Sequence, residues 1–221
     1  MKKEVKKGVK GIDSDEIRIV DEKIHPDVFT EFFRFLEEGG DKLKSVSGYT
    51  IKAELAELAK TGSIESFRKI ERIIKREDIT AAQRDFGIAA LNYCRFRIEN
   101  ELLDFPVDMI SGGLGGTANK IRYYLALTGR DGVTQDQLHE VEVVFRREAD
   151  SRDSIIEEVV HHGFYVSLLI LGSFDYAIGD LITAALGKCK FLQTDYFLTN
   201  VEIPTDSLIQ DWLDGKLDES T

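Results

Sequence analysis

The chain has 221 residues, of which 43% are hydrophobic and 10% aromatic, with 18 glycines, 3 prolines and 2 cysteines. This composition supplies a core for one large domain or two small ones, and it excludes a collagen-like, low-complexity or disordered chain. The 29 basic and 40 acidic residues give a net charge of −11, and two cysteines are too few for a disulfide framework or a four-thiolate zinc site.

The chain ends and apolar runs predict where the protein resides. The longest apolar run, Phe164–Leu171, has about eight residues, whereas a membrane-spanning helix needs about 18. The basic residues 1–11 lead into an acidic stretch rather than the apolar stretch of a signal peptide. We therefore expect a soluble, cytoplasmic protein that does not bind membranes, with residues 1–24 forming a flexible basic tail and lead-in whose first eleven residues are dispensable.

The negative charge is concentrated in the second half of the chain. Residues 1–100 carry 20 basic and 19 acidic side chains, whereas residues 101–221 carry 9 basic and 21 acidic ones. Because nucleic-acid binding needs clustered Lys and Arg to neutralise phosphates, the second half would repel a polyanion. The five lysines among the first ten residues are more typical of a solvated tail. We expect no nucleic-acid partner.

Residues 25–103 show helical periodicity and predict a helical bundle, because amphipathic helices joined by short loops pack in this way. Proline near a helix start, capping residues and closing glycines mark the helix ends. The predicted markers are His25-Pro26-Asp27 and Gly39-Gly40 for the first helix, about Tyr49–Lys60 for the second, Ser63 for the third, and Thr80 with Gln83 for a fourth that reaches about Leu103.

Residues 104–221 contain β-forming segments alternating with helices. The predicted strands are Phe105–Ile110, Ile121–Leu127, Phe164–Leu171 and Asp195–Ile203, the first two joined as a hairpin across a glycine-rich turn. One helix is predicted to begin at Thr134, in a capping box with Gln137, and another near Ser173 or Asp175. This order predicts an α+β fold in which a small sheet with helices packed on it, a sandwich of ferredoxin-like size, follows the helical bundle. The alternative is an α/β nucleotide-binding sheet.

A short C-terminal helix is predicted after Pro204, with Thr205 as its cap. Leu208, Ile209, Trp212 and Leu213 share one face, and so short a helix is unstable in water unless that face is buried. The face is expected to dock on the protein's own sheet, and a groove on another subunit is the alternative.

The most distinctive segment, Ser111–Lys120, has four glycines within five residues. Glycine-rich backbone can cradle phosphates, but the terminal Gly-Lys-Ser/Thr of a P-loop is absent. A dinucleotide fingerprint fits only if Thr117–Leu127 is helical, and a hairpin turn with a positive-φ glycine is the preferred interpretation. The candidate ligand-binding residues are Gly112, Gly113, Gly115, Gly116, Lys120 and Arg122.

Other polar residues favour structural roles. His161-His162, preceded by Glu157-Glu158, is interpreted as a solvated helix end followed by a turn at Gly163, with the two rings on opposite faces and therefore no metal site. Asp175 is expected to cap a helix. Cys189 lies between two lysines that would lower its pKa.

The residues do not form a recognisable catalytic set, so we expect a non-enzymatic interaction or regulatory module with no cofactor or metal. Its expected partner is another protein or a second copy of the chain. The alternative is an enzyme or sensor that binds a nucleotide or anion at residues 112–116, with Lys120 and Arg122 supplying positive charge.

Overall fold

The computed structural model describes residues 17–38, 49–103 and 107–216. Within these ranges it contains seven helices and a curled antiparallel sheet, which confirms the α+β class. The predictions for the first eleven residues and for the helix end at Gly39-Gly40 lie outside the described residues. No helix in the described ranges has both the length and the hydropathy of a membrane-spanning segment.

Four helices pack together in the first half, as the amphipathic pattern predicts. They are α1 (Pro26–Glu38), α2 (Tyr49–Thr61), α3 (Ile64–Ile74) and α4 (Ala81–Leu102). The predicted caps are confirmed: Ser63 accepts the N–H of Ser66, and Thr80 and Gln83 form a reciprocal capping box. The fully buried Phe32, Leu55, Ile70 and Phe86 form the centre of one apolar core.

Two short strands connect the lead-in to the chain that follows the helices. Strand β1 (Ile17–Ile19) pairs in parallel with β2 (Asp108–Ile110). The predicted hairpin between Phe105–Ile110 and Ile121–Leu127 is therefore wrong, because the partner of β2 lies about ninety residues earlier in the chain. Residues 17–24, assigned to the lead-in, thus carry an ordered strand.

The remaining elements form a five-stranded sheet with helices on both faces. In chain order they are β3 (Gly116–Thr117), β4 (Lys120–Gly129), α5 (Gln135–Asp150), β5 (Ile155–His161), β6 (Tyr165–Ser173), α6 (Ile178–Leu186), β7 (Leu192–Thr199) and α7 (Asp206–Leu213). From β4 to β7 the chain has the order β-α-β-β-α-β, and the strands lie in the order β7-β4-β6-β5 with every pair antiparallel. This is the topology of a ferredoxin-like sandwich.

The alternative of an α/β nucleotide-binding sheet is wrong. It requires a helix after the glycine-rich segment, whereas Thr117–Leu127 continues into strand β4, which begins at Lys120. It also requires parallel strands, whereas all pairs of the five-stranded sheet are antiparallel. The capping box of Thr134 and Gln137 at the start of α5 is confirmed.

Strand β5 was not predicted, and the reason is a break in its alternation. A register shift between Ile156 and Glu158 inserts an extra residue, so Ile156 and Val159, three residues apart, both pack into the core beneath α5 and α6. A bulge of this kind removes the period of two by which a half-buried strand is recognised. The interpretation of this segment as a solvated helix end is wrong.

The two faces of the sheet are covered differently. One face buries Leu125, Leu127, Val166 and their neighbours against α5 and α6. The other face carries Tyr124, Ala126 and Tyr165 and is covered by α7, whose Ile209 is fully buried while Trp212 is half-buried near Phe197. The predicted cap at Thr205 and the docking of this helix on its own sheet are both confirmed.

Candidate functional site

An open cleft of about 730 Å³ lies at one end of the sheet, and we call it the end cleft. Four separate segments form it: residues 128–132 at the end of β4 and directly after it, Gly163 and Phe164 at the turn between β5 and β6, Gln193 and Asp195 at the start of β7, and residues 210–215 of α7 and its end. Two other clefts that the structure describes have volumes of about 190 and 170 Å³. The end cleft is thus in the size range of ligand sites.

The backbone of β7 is irregular where it borders the end cleft. Leu127 lies opposite Tyr196, but Gly129 lies opposite Leu192, so the three residues Gln193–Asp195 have no pairing partner in β4. These three residues are exposed. Three residues of β7 thus lie opposite one residue of β4, which is the irregularity of a β-bulge and disrupts the ladder locally.

The side chains around the end cleft combine aromatic and polar groups. Phe164, in the turn between β5 and β6, is 78% exposed, and the half-buried Trp212 also lines the cleft. Asp131 and Asp195 supply carboxylates, and Arg130 supplies one cation. The lining of the end cleft thus brings one exposed and one half-buried ring together with two carboxylates and one cation.

A second cleft, of about 170 Å³, lies on the sheet face beside the first turn of α7, and we call it the face cleft. His162, Tyr165 and Ser167 line it, together with Tyr124 and Asp206. The Nε2 atom of His162 lies 2.8 Å from Oγ of Ser167, and the imidazole stacks on the ring of Tyr165 with 4.3 Å between centroids and 5° between planes. The hydroxyl of Tyr165 donates to Asp206 Oδ1 at 3.4 Å.

Burial shifts the titration of Tyr165 strongly. Desolvation is the largest cause, and the neighbouring hydroxyl of Tyr124 and carboxylate of Asp206 add to it, so the pKa of Tyr165 lies well above its usual value. A phenol near two acidic groups in a partly enclosed site loses its proton reluctantly. Tyr165 therefore keeps its hydroxyl proton, and with it a hydrogen-bond donor, throughout the physiological range.

The glycine-rich segment lies buried between two other parts of the chain. The N–H groups of Leu114, Gly115 and Gly116 donate to the carbonyls of Asn200, Gly112 and Asp21, at 2.9, 2.8 and 3.3 Å. The prediction of a positive-φ glycine is confirmed at Gly115, where φ is +70°.

The two predicted cations have partners within the protein. Lys120 Nζ lies 2.6 Å from Asp153 Oδ2, and Arg122 donates to Glu157 and, from Nη1, to the carbonyl of Leu114 at 2.9 Å. The carboxylate of Glu157 raises the pKa of Arg122. Ligand binding by this segment stays a prediction, and any ligand must compete with these contacts.

The structure changes two expectations for single residues, for Asp175 and Cys189, and confirms one for the histidine pair. Asp175 does not cap α6, which begins at Ile178 after Ala177 and has no side-chain cap; instead Asp175 accepts a hydrogen bond from Asn119. Cys189 is fully buried, and burial raises its pKa to about 11 despite the adjacent lysines. The two histidines do face opposite sides, since His161 lies 2.7 Å from the carbonyl of Val133, away from the face cleft.

The sequence did not indicate either cleft. The end cleft combines segments that are up to about ninety residues apart, and the face cleft depends on the unpredicted strand β5. The one local signal was the apolar run that starts at Phe164, which was assigned to a strand, whereas the positive φ of Gly163 places Phe164 at the exposed turn. Within the described residues, no group of three or more His, Cys, Asp or Glu residues is arranged to hold a metal ion.

Comparison with known proteins gives little guidance. No family model matches the chain. No curated protein matches it either. Among solved structures, a crystal structure described as a putative transposase from Deinococcus radiodurans R1 shares 16% sequence identity, with coverage of 46% of this chain and 94% of that chain and a TM-score of 0.38. So low a TM-score carries no argument about function.

Proposed function

We propose that the protein is an interaction module that binds an extended, basic segment of a partner protein in the end cleft. The observation that carries this proposal is the cleft itself: about 730 Å³ of open space lined both by the exposed ring of Phe164 and by the start of β7, where the register with β4 shifts. Aromatic anchors surrounded by polar groups are typical of surfaces that recognise other proteins.

The geometry favours a polypeptide over a compact ligand. The lining of the end cleft mixes amide, carboxylate and hydroxyl groups with the rings of Phe164 and Trp212. Gln193–Asp195 are exposed and lie at the register shift between β4 and β7, and in this proposal their main chain exchanges hydrogen bonds with the main chain of a bound segment. Side chains of the segment would then contact the two rings.

Charge favours a basic partner segment. Residues 101–221 carry 9 basic and 21 acidic side chains, and the end cleft itself contains Asp131 and Asp195 against the single cation of Arg130. Complementary charge steers association and selects partners more than it adds affinity. The first ten residues of this chain contain five lysines, so a second copy of the chain is one source of such a segment.

The test is selection from a displayed library of random short peptides, followed by fluorescence anisotropy with the selected peptides. We expect the selected sequences to be enriched in Lys and Arg. Phe164→Ala should weaken their binding about tenfold, or 1.4 kcal/mol, and Asp195→Asn should weaken it and reduce its dependence on salt. Phe164 is exposed, so its removal should leave the melting temperature unchanged.

The matched control is Tyr176→Ala. Tyr176 is an exposed aromatic residue, 51% accessible, and it follows the far end of β6 from Phe164. Its removal should leave peptide binding unchanged. Equal binding by wild type and Phe164→Ala, or failure of the library to yield any peptide that binds the wild type, would contradict the proposal. Sedimentation with and without a selected peptide shows whether a second copy is the partner, because the peptide should then dissociate the dimer.

A further inference from the structure

We propose that Ser167 and His162 form a nucleophile and general-base pair that transfers the acyl group of small, uncharged esters. This goes beyond partner recognition and does not depend on it. The proposal rests on the distance of 2.8 Å between Nε2 of His162 and Oγ of Ser167, two residues that line the face cleft. A nucleophile and a base within hydrogen-bond reach are the core of hydroxyl-based covalent catalysis.

The sheet holds both groups in place. Ser167 is 5% exposed, and it is the third residue of β6, paired with Ala126 on one side and Val160 on the other. The main-chain N–H of His162 donates to the carbonyl of Tyr165 at 2.9 Å, and the imidazole stacks on the ring of Tyr165. Acceptance of the Ser167 proton at Nε2 requires the tautomer with its proton on Nδ1.

Hydrogen-bond donors stand on the same side of the sheet. Tyr124 and Tyr165 both line the face cleft; because the hydroxyl of Tyr165 donates to Asp206, the hydroxyl of Tyr124 is the donor that this proposal assigns to the oxyanion. Neutral donors near a nucleophile stabilise the oxyanion that forms when a carbonyl carbon is attacked. Asp206 and Glu158, which also line the cleft, disfavour anionic substrates.

Cleft size limits the acyl group. At about 170 Å³ the face cleft is smaller than the range of roughly 300–1,000 Å³ that is typical of sites for drug-sized ligands. Ser167 is almost fully enclosed, so only a short acyl group reaches its Oγ. The substrate class is therefore esters of small acids such as acetic acid.

The reaction is balanced without a cofactor. Oγ of Ser167 attacks the ester carbonyl carbon while its proton passes to Nε2 of His162. The bond between the carbonyl carbon and the alkoxy oxygen breaks, and the alcohol leaves with that proton. Water then attacks the acyl-serine, His162 takes a proton from the water and returns it to Oγ, and the products are a carboxylic acid and an alcohol.

The test is p-nitrophenyl acetate hydrolysis combined with intact-mass and peptide mass spectrometry of the full chain. We expect one acetyl group on the peptide that contains Ser167, and a loss of about 100-fold or more in rate for His162→Gln, the usual contribution of a general base. Ser167→Ala should abolish labelling. Melting temperatures of both variants verify that the fold is retained, and the exposed position of His162 keeps the test valid if Ser167→Ala is unstable.

The matched control is His161→Gln. His161 precedes His162 in the chain but lies on the other face, against the carbonyl of Val133. Its rate and labelling should equal those of the wild type. A rate in His162→Gln equal to the wild type, or acetyl groups found only on lysines, would overturn the proposal. Neither outcome affects peptide binding at the end cleft, so the catalytic proposal can be refuted while the proposed partner recognition still holds.

Discussion

Gly113→Ala tests how the glycine-rich segment is packed. A Cβ atom at Gly113 would lie 1.9 Å from the carbonyl oxygen of Val201 and 2.7 Å from its carbonyl carbon. Both are main-chain atoms, so no side-chain rotation relieves the overlap. The two segments must separate, and the hydrogen bond from the N–H of Leu114 to the carbonyl of Asn200 connects them at this place.

The expected cost of Gly113→Ala follows from these contacts. Overpacking costs about 1–3 kcal/mol, and a lost hydrogen bond costs about 1 kcal/mol. We therefore expect unfolding to become easier by about 3 kcal/mol, which for a chain of this length lowers the melting temperature by roughly 6–12 °C. Differential scanning calorimetry measures the shift.

Alanine variants of two other glycines distinguish the cost of steric overlap from the cost of backbone strain. Gly163 has φ of +81° with no atom near its Cβ position, so Gly163→Ala should cost about 1 kcal/mol from backbone strain alone. Gly179, the second residue of α6, has neither constraint, so Gly179→Ala should stabilise the protein by about 0.5 kcal/mol, the lower end of the gain in mid-helix. If Gly113→Ala melted within one degree of the wild type, or if all three variants shifted equally, the packing argument would be wrong.

Three further predictions concern burial and ligands. Trp212→Ala should destabilise the protein by about 2 kcal/mol, and Ile209→Ala by about 2–5 kcal/mol, because only Ile209 is fully buried. Sedimentation of the Trp212→Ala variant should show the mass of the wild type. Equal stability of the wild type and Trp212→Ala would contradict the docking of α7. The raised pKa of Cys189 stabilises the folded state below pH 9, its ordinary pKa, and this stabilisation is lost as the pH rises to about 11. Urea titrations of the wild type should therefore show a decrease in the free energy of unfolding between pH 9 and about 11, and Cys189→Ala should remove that decrease. Nucleotides and inorganic phosphate should leave the melting temperature unchanged, since Lys120 and Arg122 are already paired; a ligand at 100 times its dissociation constant would instead add about 2.7 kcal/mol.

Local chemistry made most of the fold predictable. The capping boxes at Thr80 and Thr134 need only residues three positions apart, and the structure confirms both. The apolar strands that became β4 and β6 are central in the sheet, so their burial shows in the sequence itself.

The errors arose where distant contacts decide the structure. Strand β2 pairs with β1 rather than with its sequence neighbour, and nothing within either segment encodes that partner. The bulge in the edge strand β5 interrupts the alternation of apolar and polar residues by which a strand is recognised in a sequence. Neither cleft was predicted, because each is assembled from turns and strand ends whose proximity depends on the completed sheet.

Hydrogen–deuterium exchange of the wild type with a selected basic peptide tests the central claim, recognition in the end cleft. The account predicts slower exchange at Gln193–Asp195 and at the Gly163–Phe164 turn, since the peptide would cover their main chain, with no change in helices α1–α4. Protection confined to those helices, or none at the end cleft while the peptide is bound, would contradict it.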